Sequence, residues 1–245
     1  SSCSHRGRVR KINEDACLDQ SERGMWAVAD GMGGHACGEL ASRLVVESLL
    51  EIPPAHSLSS FFNDARNQLR SANRQLRIET LNRDLPIIGS TVAVLLACDH
   101  NCAYLWAGDS RIYLWRDGRL RLLTRDHSYV EEVRSRRDPN AEDTLHRLPS
   151  NLITRAVGIA DTLDLEEGAI EVIDGDVFLL CTDGLSNAVH HLEIGNALLP
   201  GSCRQASEAL LAMALTRGGH DNISAVVVRA EDLQSSDRTE TNPAL

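Results

Sequence analysis

Asp30 ends a short apolar run, Met25-Trp26-Ala27-Val28-Ala29, and is followed at once by Gly31-Met32-Gly33-Gly34-His35. A bounded run of this kind reads as a buried strand. A carboxylate at the end of such a strand stays charged only if something pairs with it. The glycines beside it let carbonyls and a bulky anion approach closely. Alone, Asp-Gly after a strand is an ordinary turn, but the pattern repeats. Phe178-Leu179-Leu180-Cys181-Thr182 runs into Asp183-Gly184, Ala103 to Gly108 runs into Asp109-Ser110-Arg111, and Asp221-Asn222 precedes the apolar run from Ile223 to Val228. Glu14-Asp15 follows Arg10 early in the sequence. Together Glu14, Asp15, Asp30, Asp109, Asp183 and Asp221 bring six negative charges if they converge. Two divalent cations would offset four of these charges and a third would offset all six; otherwise the carboxylates must take up protons or separate. With only oxygen donors in the set, Mg2+ or Mn2+ is favoured over zinc.

The surrounding pattern supplies the elements that must position these acids. A helix is expected over 36–50, with Ala36, Leu40, Leu44 and Leu49 on its apolar face and Ala41, Val45 and Ser48 beside it; Pro53-Pro54 ends it. A longer helix is expected over 58–83, where Phe62, Ala65, Leu69, Ala72 and Leu76 step along one face. Its arginines Arg66, Arg70, Arg74 and Arg77 read as a solvated face. Strands follow at 90–98, 102–108, 111–116 and 119–124, the last two joined by the hairpin signal Asp117-Gly118. A short charged helix is expected over 127–137, within a mobile flap at 128–151. Strands at 152–157, 169–173 and 176–182, helices at 190–199 and 203–217, and a strand at 222–229 complete the order, before a disordered tail over 232–245. The order lacks βαβ alternation. It indicates an α+β fold, a four-layer α-β-β-α sandwich of two mainly antiparallel sheets flanked by helices, with residues 1–231 forming one domain.

Bulk properties narrow the function classes. A net charge of −10 argues against nucleic-acid and anionic-membrane binding. No run of about 18 apolar residues is present to span a membrane, and Ser1 to Lys11 lack the apolar core of a signal peptide. Seven cysteines without a C-x-x-C pair fit free thiols in a reducing, cytoplasmic setting. Cys37 and Cys181 lie near the acidic motifs, but neither heads a C-x-x-x-x-x-R loop, so cysteine-based phosphate chemistry is disfavoured.

In order along the chain, Arg10-Lys-Ile-Asn-Glu-Asp15, Asp30-Gly-Met-Gly-Gly-His35, Gly89-Ser-Thr91, Gly108-Asp-Ser-Arg111, Ile153-Thr-Arg-Ala-Val-Gly158, Thr182-Asp-Gly184 and Asp221-Asn222 resemble the motifs of bacterial metal-dependent serine/threonine phosphatases of the PPM family, the protein phosphatase 2C type. The resemblance covers roughly residues 5 to 229. It implies two Mn2+ or Mg2+ ions between the sheets. Asp30 would bridge them, Asp183 and Asp221 would complete one shell, and the Gly31 carbonyl the other. Glu14 and Asp15 would act through waters, Asp109 would serve a third, weaker ion, and Arg10 would bind phosphate. Met32 stands where many eukaryotic members carry a histidine proposed as general acid, which leaves His35 or a water for that role.

The expected activity is hydrolysis of phosphoserine and phosphothreonine in proteins by a water between two ions, opposing a partner serine/threonine kinase. Partners are then phosphoproteins and that kinase, in secretion-system or cell-wall control, with the chain acting as a monomer. Two alternatives share the motifs: a catalytically weak phosphoprotein-binding module, and a phosphohydrolase for small molecules.

Overall fold

The computed structural model describes residues 1–33, 37–135, 152–199 and 201–231. The chain runs β1 (Ser2–His5), β2 (Asp15–Gln20), a 3-10 turn (Ser21–Arg23), β3 (Met25–Gly33), α1 (Cys37–Leu50), α2 (Leu58–Asn82), β4 (Ile88–Ser90), β5 (Val92–Cys98), β6 (Asn101–Ala107), β7 (Arg111–Arg116), β8 (Arg119–Leu122) and α3 (Tyr129–Ser135). It continues through β9 (Glu166–Glu171), β10 (Val177–Cys181), α4 (Asp183–Ser186), α5 (His191–Leu198), α6 (Cys203–Thr216) and β11 (Ile223–Arg229). One antiparallel sheet is ordered β1-β11-β10-β7-β8 and the other β2-β3-β5-β6-β9, with β4 pairing the end of β3.

Alternation along the strands builds the layers. On β3, Met25, Ala27 and Ala29 pack against Ala41, Val45 and Leu49 of α1 and Phe61, Leu69 and Leu76 of α2. The intervening Trp26 and Val28, with Leu95 of β5 beside them, face the other sheet, where they meet Ile112, Leu114, Phe178, Leu180 and Val226. The outer face of that second sheet, with Leu179, Ile223 and Val227, is covered by Ile194 of α5 and Leu210 of α6. The result is the four-layer helix–sheet–sheet–helix arrangement expected from the sequence.

Several local expectations are corrected. Phe61, not Phe62, is the buried aromatic of α2. The Arg66 guanidinium stacks over the Phe62 ring at 4.7 Å and also bonds Glu167, which holds Phe62 at the rim. Arg77 pairs with Asp161, so this arginine row is partly spent on ion pairs. The buried face of α1 runs through Ala41, Val45 and Leu49, while Leu40 and Leu44 sit at its border. Residues 152–157 form no strand; they hold isolated bridges at Ser128–Ile153 and Ser90–Val157. Segment 1–11 contributes β1, which the polar composition did not signal. The seven cysteines form no disulfide. Within the described residues, no helix is long and apolar enough to cross a membrane. Of the expected flap, residues 136–151 lie outside the described residues, as do His35 and the tail over 232–245.

Candidate metal and phosphate site

The alternation that fills the space between the sheets with apolar side chains continues to one end of it, and there the residues become polar. On β3 the inward series Trp26, Val28 reaches Asp30. On β2 it runs back from Cys17 to Asp15, whose Cα pairs with that of Asp30. Beyond Leu180 on β10 comes Thr182, and before Val226 on β11 comes Ser224. Thr182 joins the sheets: its hydroxyl donates to Asp15 Oδ2 at 2.8 Å and accepts the Ser224 N–H at 3.0 Å.

The Asp30 backbone is fixed from the other side. Thr91, in the gap between β4 and β5, gives its N–H to the Asp30 carbonyl at 2.8 Å and accepts the Asp30 N–H on its hydroxyl at 2.9 Å. Its hydroxyl also meets that of buried Ser110 at 2.7 Å, linking Asp30 to the Gly108-Asp109-Ser110 corner. That corner is clamped by His127. The Gly108 N–H donates to His127 Nδ1 at 3.1 Å, and the His127 N–H donates to the Gly108 carbonyl at 2.9 Å. Trp106 stacks on the imidazole with 6° between planes, and Glu166 Oε1 lies 3.2 Å from Nε2. Burial holds the His127 pKa down, so Nδ1 stays an acceptor.

Arg10 and Glu14 arrive on the loop between β1 and β2. Arg10 donates to Asp221 at 2.7 Å. Asn222, the next residue, fastens that loop: its amide nitrogen donates to the Arg6 and Ile12 carbonyls at 2.9 Å each, and its amide oxygen accepts the Glu14 N–H at 2.8 Å. The Gly31 N–H donates to the Glu14 carbonyl. A side chain at Gly38, in the first turn of α1, would overlap the Glu14 carboxylate, and one at Gly31 would overlap the Gly38 carbonyl. Glycine at both positions permits this close packing.

Asp15, Asp30, Asp109, Asp183, Asp221, Glu14 and Arg10 thus share one rim of the sandwich, and their electrostatics record it. Burial, then Asp15, Asp183, Asp109 and Asp221, raise the Asp30 carboxyl well above the ordinary range. Burial pushes Asp15 to about 7 against hydrogen bonds from Ser224 and Thr182, and pushes Asp109 to about 7, helped by Asp183. Asp183 is raised by burial and Asp221, and Glu14 by burial, which Arg10 opposes. Among the described residues, no three acidic, His or Cys side chains form a closed ligand set as they stand, and Arg10 takes up one Asp221 oxygen. Three carboxylate oxygens, Asp15 Oδ1, Asp109 Oδ1 and Asp183 Oδ1, are nevertheless buried without a hydrogen-bond partner. Orphaned anionic oxygens in a crowd of raised carboxyls fit hard divalent cations. Asp109 and Asp183 also line a cavity of about 540 Å³, whose far wall is Val130, Glu131 and Arg134 of α3.

Residues 3–218 match the family model for protein phosphatase 2C. The chain belongs to the protein phosphatase 2C family. It is 32% identical over 246 residues to the serine/threonine protein phosphatase PstP of Mycobacterium tuberculosis, a match covering 99% of the chain but 46% of PstP, so the chain spans about half the length of that relative. Among solved structures it resembles PppA, a key regulatory component of T6SS in Pseudomonas aeruginosa, with 43% identity, a TM-score of 0.87 and coverage of 94% of this chain and 96% of that one. It also resembles the catalytic domain of the phosphatase PstP in complex with two manganese ions, with 33% identity, a TM-score of 0.80 and coverage of 95% and 97%. The sequence motifs therefore point to the right family.

Thr91, Ser110, Thr182, His127 and Gly38 were not anticipated in these roles. Their residue types are ordinary, and only the pairing of distant strands gives them work. Asn222 was visible beside Asp221, but not as a staple.

Proposed function

We propose that this chain is a protein-serine/threonine phosphatase that uses Mn2+ or Mg2+ on the rim formed by Asp15, Asp30, Asp183 and Asp221. The observation that carries this reading is the set of orphaned, buried carboxylate oxygens beside a tethered arginine, in a chain of this family. Asp30, Asp183 and Asp221 would hold the ions with the Gly31 carbonyl, Glu14 and Asp15 would act through waters, and Asp109 would take a third ion at the cavity wall. Bound there, the ions supply Lewis acidity that lowers the pKa of a water and neutralises phosphoryl charge. Arg10 then binds the phosphate through the charge-assisted N–H donors of its guanidinium. Asn222 and Gly38 hold the loop carrying Arg10 and Glu14 in register with Asp30, so little reorganisation accompanies the change in charge.

Substrates are phosphoserine and phosphothreonine proteins made by an opposing kinase, and the likeness to PppA supports a place in secretion-system control. Arg10 is exposed and Asp109 and Asp183 line the 540 Å³ cavity, which supports a protein segment as substrate over an enclosed metabolite. The test is phosphate release from a phosphothreonine peptide. Mn2+ should support turnover and EDTA should abolish it; a chain that binds the peptide without turnover in Mn2+ would refute the enzyme.

A further inference from the structure

The loop between β1 and β2 carries more positive charge than its phosphate role requires. Arg6, Arg8, Arg10 and Lys11 fall within six consecutive positions of a chain whose net charge is −10, and Lys11 is its one lysine. All four are exposed. Arg10 is committed to Asp221. Among the described residues, the Arg6 guanidinium bonds the Lys11 carbonyl at 3.4 Å, and Arg6, Arg8 and Lys11 make no ion pair.

The backbone beneath these side chains is fixed. Asn222 holds both ends of the loop through the Arg6 and Ile12 carbonyls. The Arg8 N–H donates to the Gly219 carbonyl at 2.7 Å. Gly7 sits at φ +77°, where an added side chain would overlap the Asp221 carbonyl. With the backbone of the lip already ordered, a ligand that meets these charges has only their side chains left to order.

The opposite wall differs. The arginines lining the cavity beyond Asp109 and Asp183 are already paired: Arg111 with Asp126 by two bonds of 2.9 and 2.7 Å, and Arg125 and Arg134 with Glu131. Among the described residues, unpaired positive charge beside the rim therefore lies on the side of Asp221 and Glu14.

We propose that the lip of Arg6, Arg8 and Lys11 selects phosphoproteins with acidic residues on one side of the phosphorylated Ser or Thr. This rests on the phosphatase reading above and names its substrate class. A phosphoresidue seated at Arg10 places its neighbours in one chain direction across the lip, where carboxylates meet unpaired cations. Neighbours in the other direction run toward the neutralised cavity and gain nothing from acidity. Exposed pairs are individually weak and screened by salt, so the preference depends on several acting together.

The test uses the Mn2+-loaded protein and four phosphothreonine peptides, with glutamates before the phosphoresidue, after it, on both sides, or on neither. We expect glutamates on one side alone to raise kcat/KM about tenfold, mainly through KM, and the gain to shrink to about twofold in 0.5 M salt. The double variant Arg8→Ser/Lys11→Ser should bring the peptides close together while turnover of p-nitrophenyl phosphate stays at the parent level. Equal kcat/KM for all four peptides overturns the proposal. So does a preference that survives the double variant, or a double variant that loses the small substrate, since the lip would then belong to the chemistry. Failure of the phosphatase reading looks different: no phosphate is released from any peptide or from p-nitrophenyl phosphate.

Discussion

The space between the two sheets has a middle and an end, and the same strands build both. In the middle, Trp26, Val28, Leu95, Ile112, Leu114, Phe178, Leu180 and Val226 interlock with little or no exposure. Two residues further along the same inward faces stand Asp30 after Val28, Thr182 after Leu180 and Ser224 before Val226. The middle gains free energy by removing apolar surface from water. The end loses it by crowding carboxylates, as their raised pKa values record. The rigid middle can bear that loss, so the sandwich acts as a frame that holds repelling groups near one another.

Substitutions at the two places should therefore have opposite signatures. Asp30→Asn should lower Mn2+-dependent phosphate release about a thousandfold, yet leave the metal-free protein at least as stable, because one crowded charge is gone; peptide kinetics and urea titration check the two halves. Phe178→Ala should do the reverse. Its ring is 1% exposed, so the change should cost about 3–5 kcal/mol in urea unfolding, while activity per folded molecule stays near the parent value. If Asp30→Asn proved as destabilising as Phe178→Ala, the rim would be part of the stable frame and the contrast would fail.

A smaller effect comes from pH. Burial holds Asp15 and Asp109 at about 7 in the fold, well above the ordinary carboxylate value of 3.8. Between about pH 4 and 7 the folded chain binds protons that the unfolded chain has released, so metal-free stability rises as pH falls through that window. Calorimetry of the metal-free protein should show a higher Tm at pH 5.5 than at pH 8, by on the order of 5 °C. Saturating Mn2+ should raise Tm more at pH 8 than at pH 5.5, because cations then replace protons. A Tm independent of pH would mean the carboxylates are not held together.

The finest test separates the two nitrogens of His127. Asn can replace Nδ1 as acceptor for the Gly108 N–H, whereas Gln reaches Glu166 but abandons Gly108. His127→Gln should raise the Mn2+ concentration for half-maximal activity about fivefold and weaken Mn2+ binding measured by electron paramagnetic resonance, with His127→Asn closer to the parent. Equal behaviour of the two variants would reduce His127 to packing.

Much of this was legible in the chain. Asp30, Asp109, Asp183 and Asp221 each follow or precede an apolar run that reads as a buried strand, whereas Glu14 and, at the start of β2, Asp15 had no such run to mark them. The helices were also plain, although adjacent Phe61 and Phe62 both satisfy a helical period, and only Arg66 stacking on Phe62 decides which goes inside. The first strand was not legible, since Ser-Cys-Ser-His has no apolar alternation and pairs only because the edge of β11 is there to receive it. Nor were Thr91, Thr182 and His127, whose partners lie 61, 167 and 19 positions away. Residue type marks the charged groups, while register between distant strands marks the groups that hold them.

The staple from Asn222 to Arg6 and Ile12 joins segments 216 and 210 residues apart, which gives this domain an order of maturation. As the chain leaves the ribosome, the loop bearing Arg10 emerges first and waits for its anchor until position 222 has been synthesised and the final strand has docked. An incomplete nascent domain therefore lacks the anchored loop that the proposed phosphate site requires.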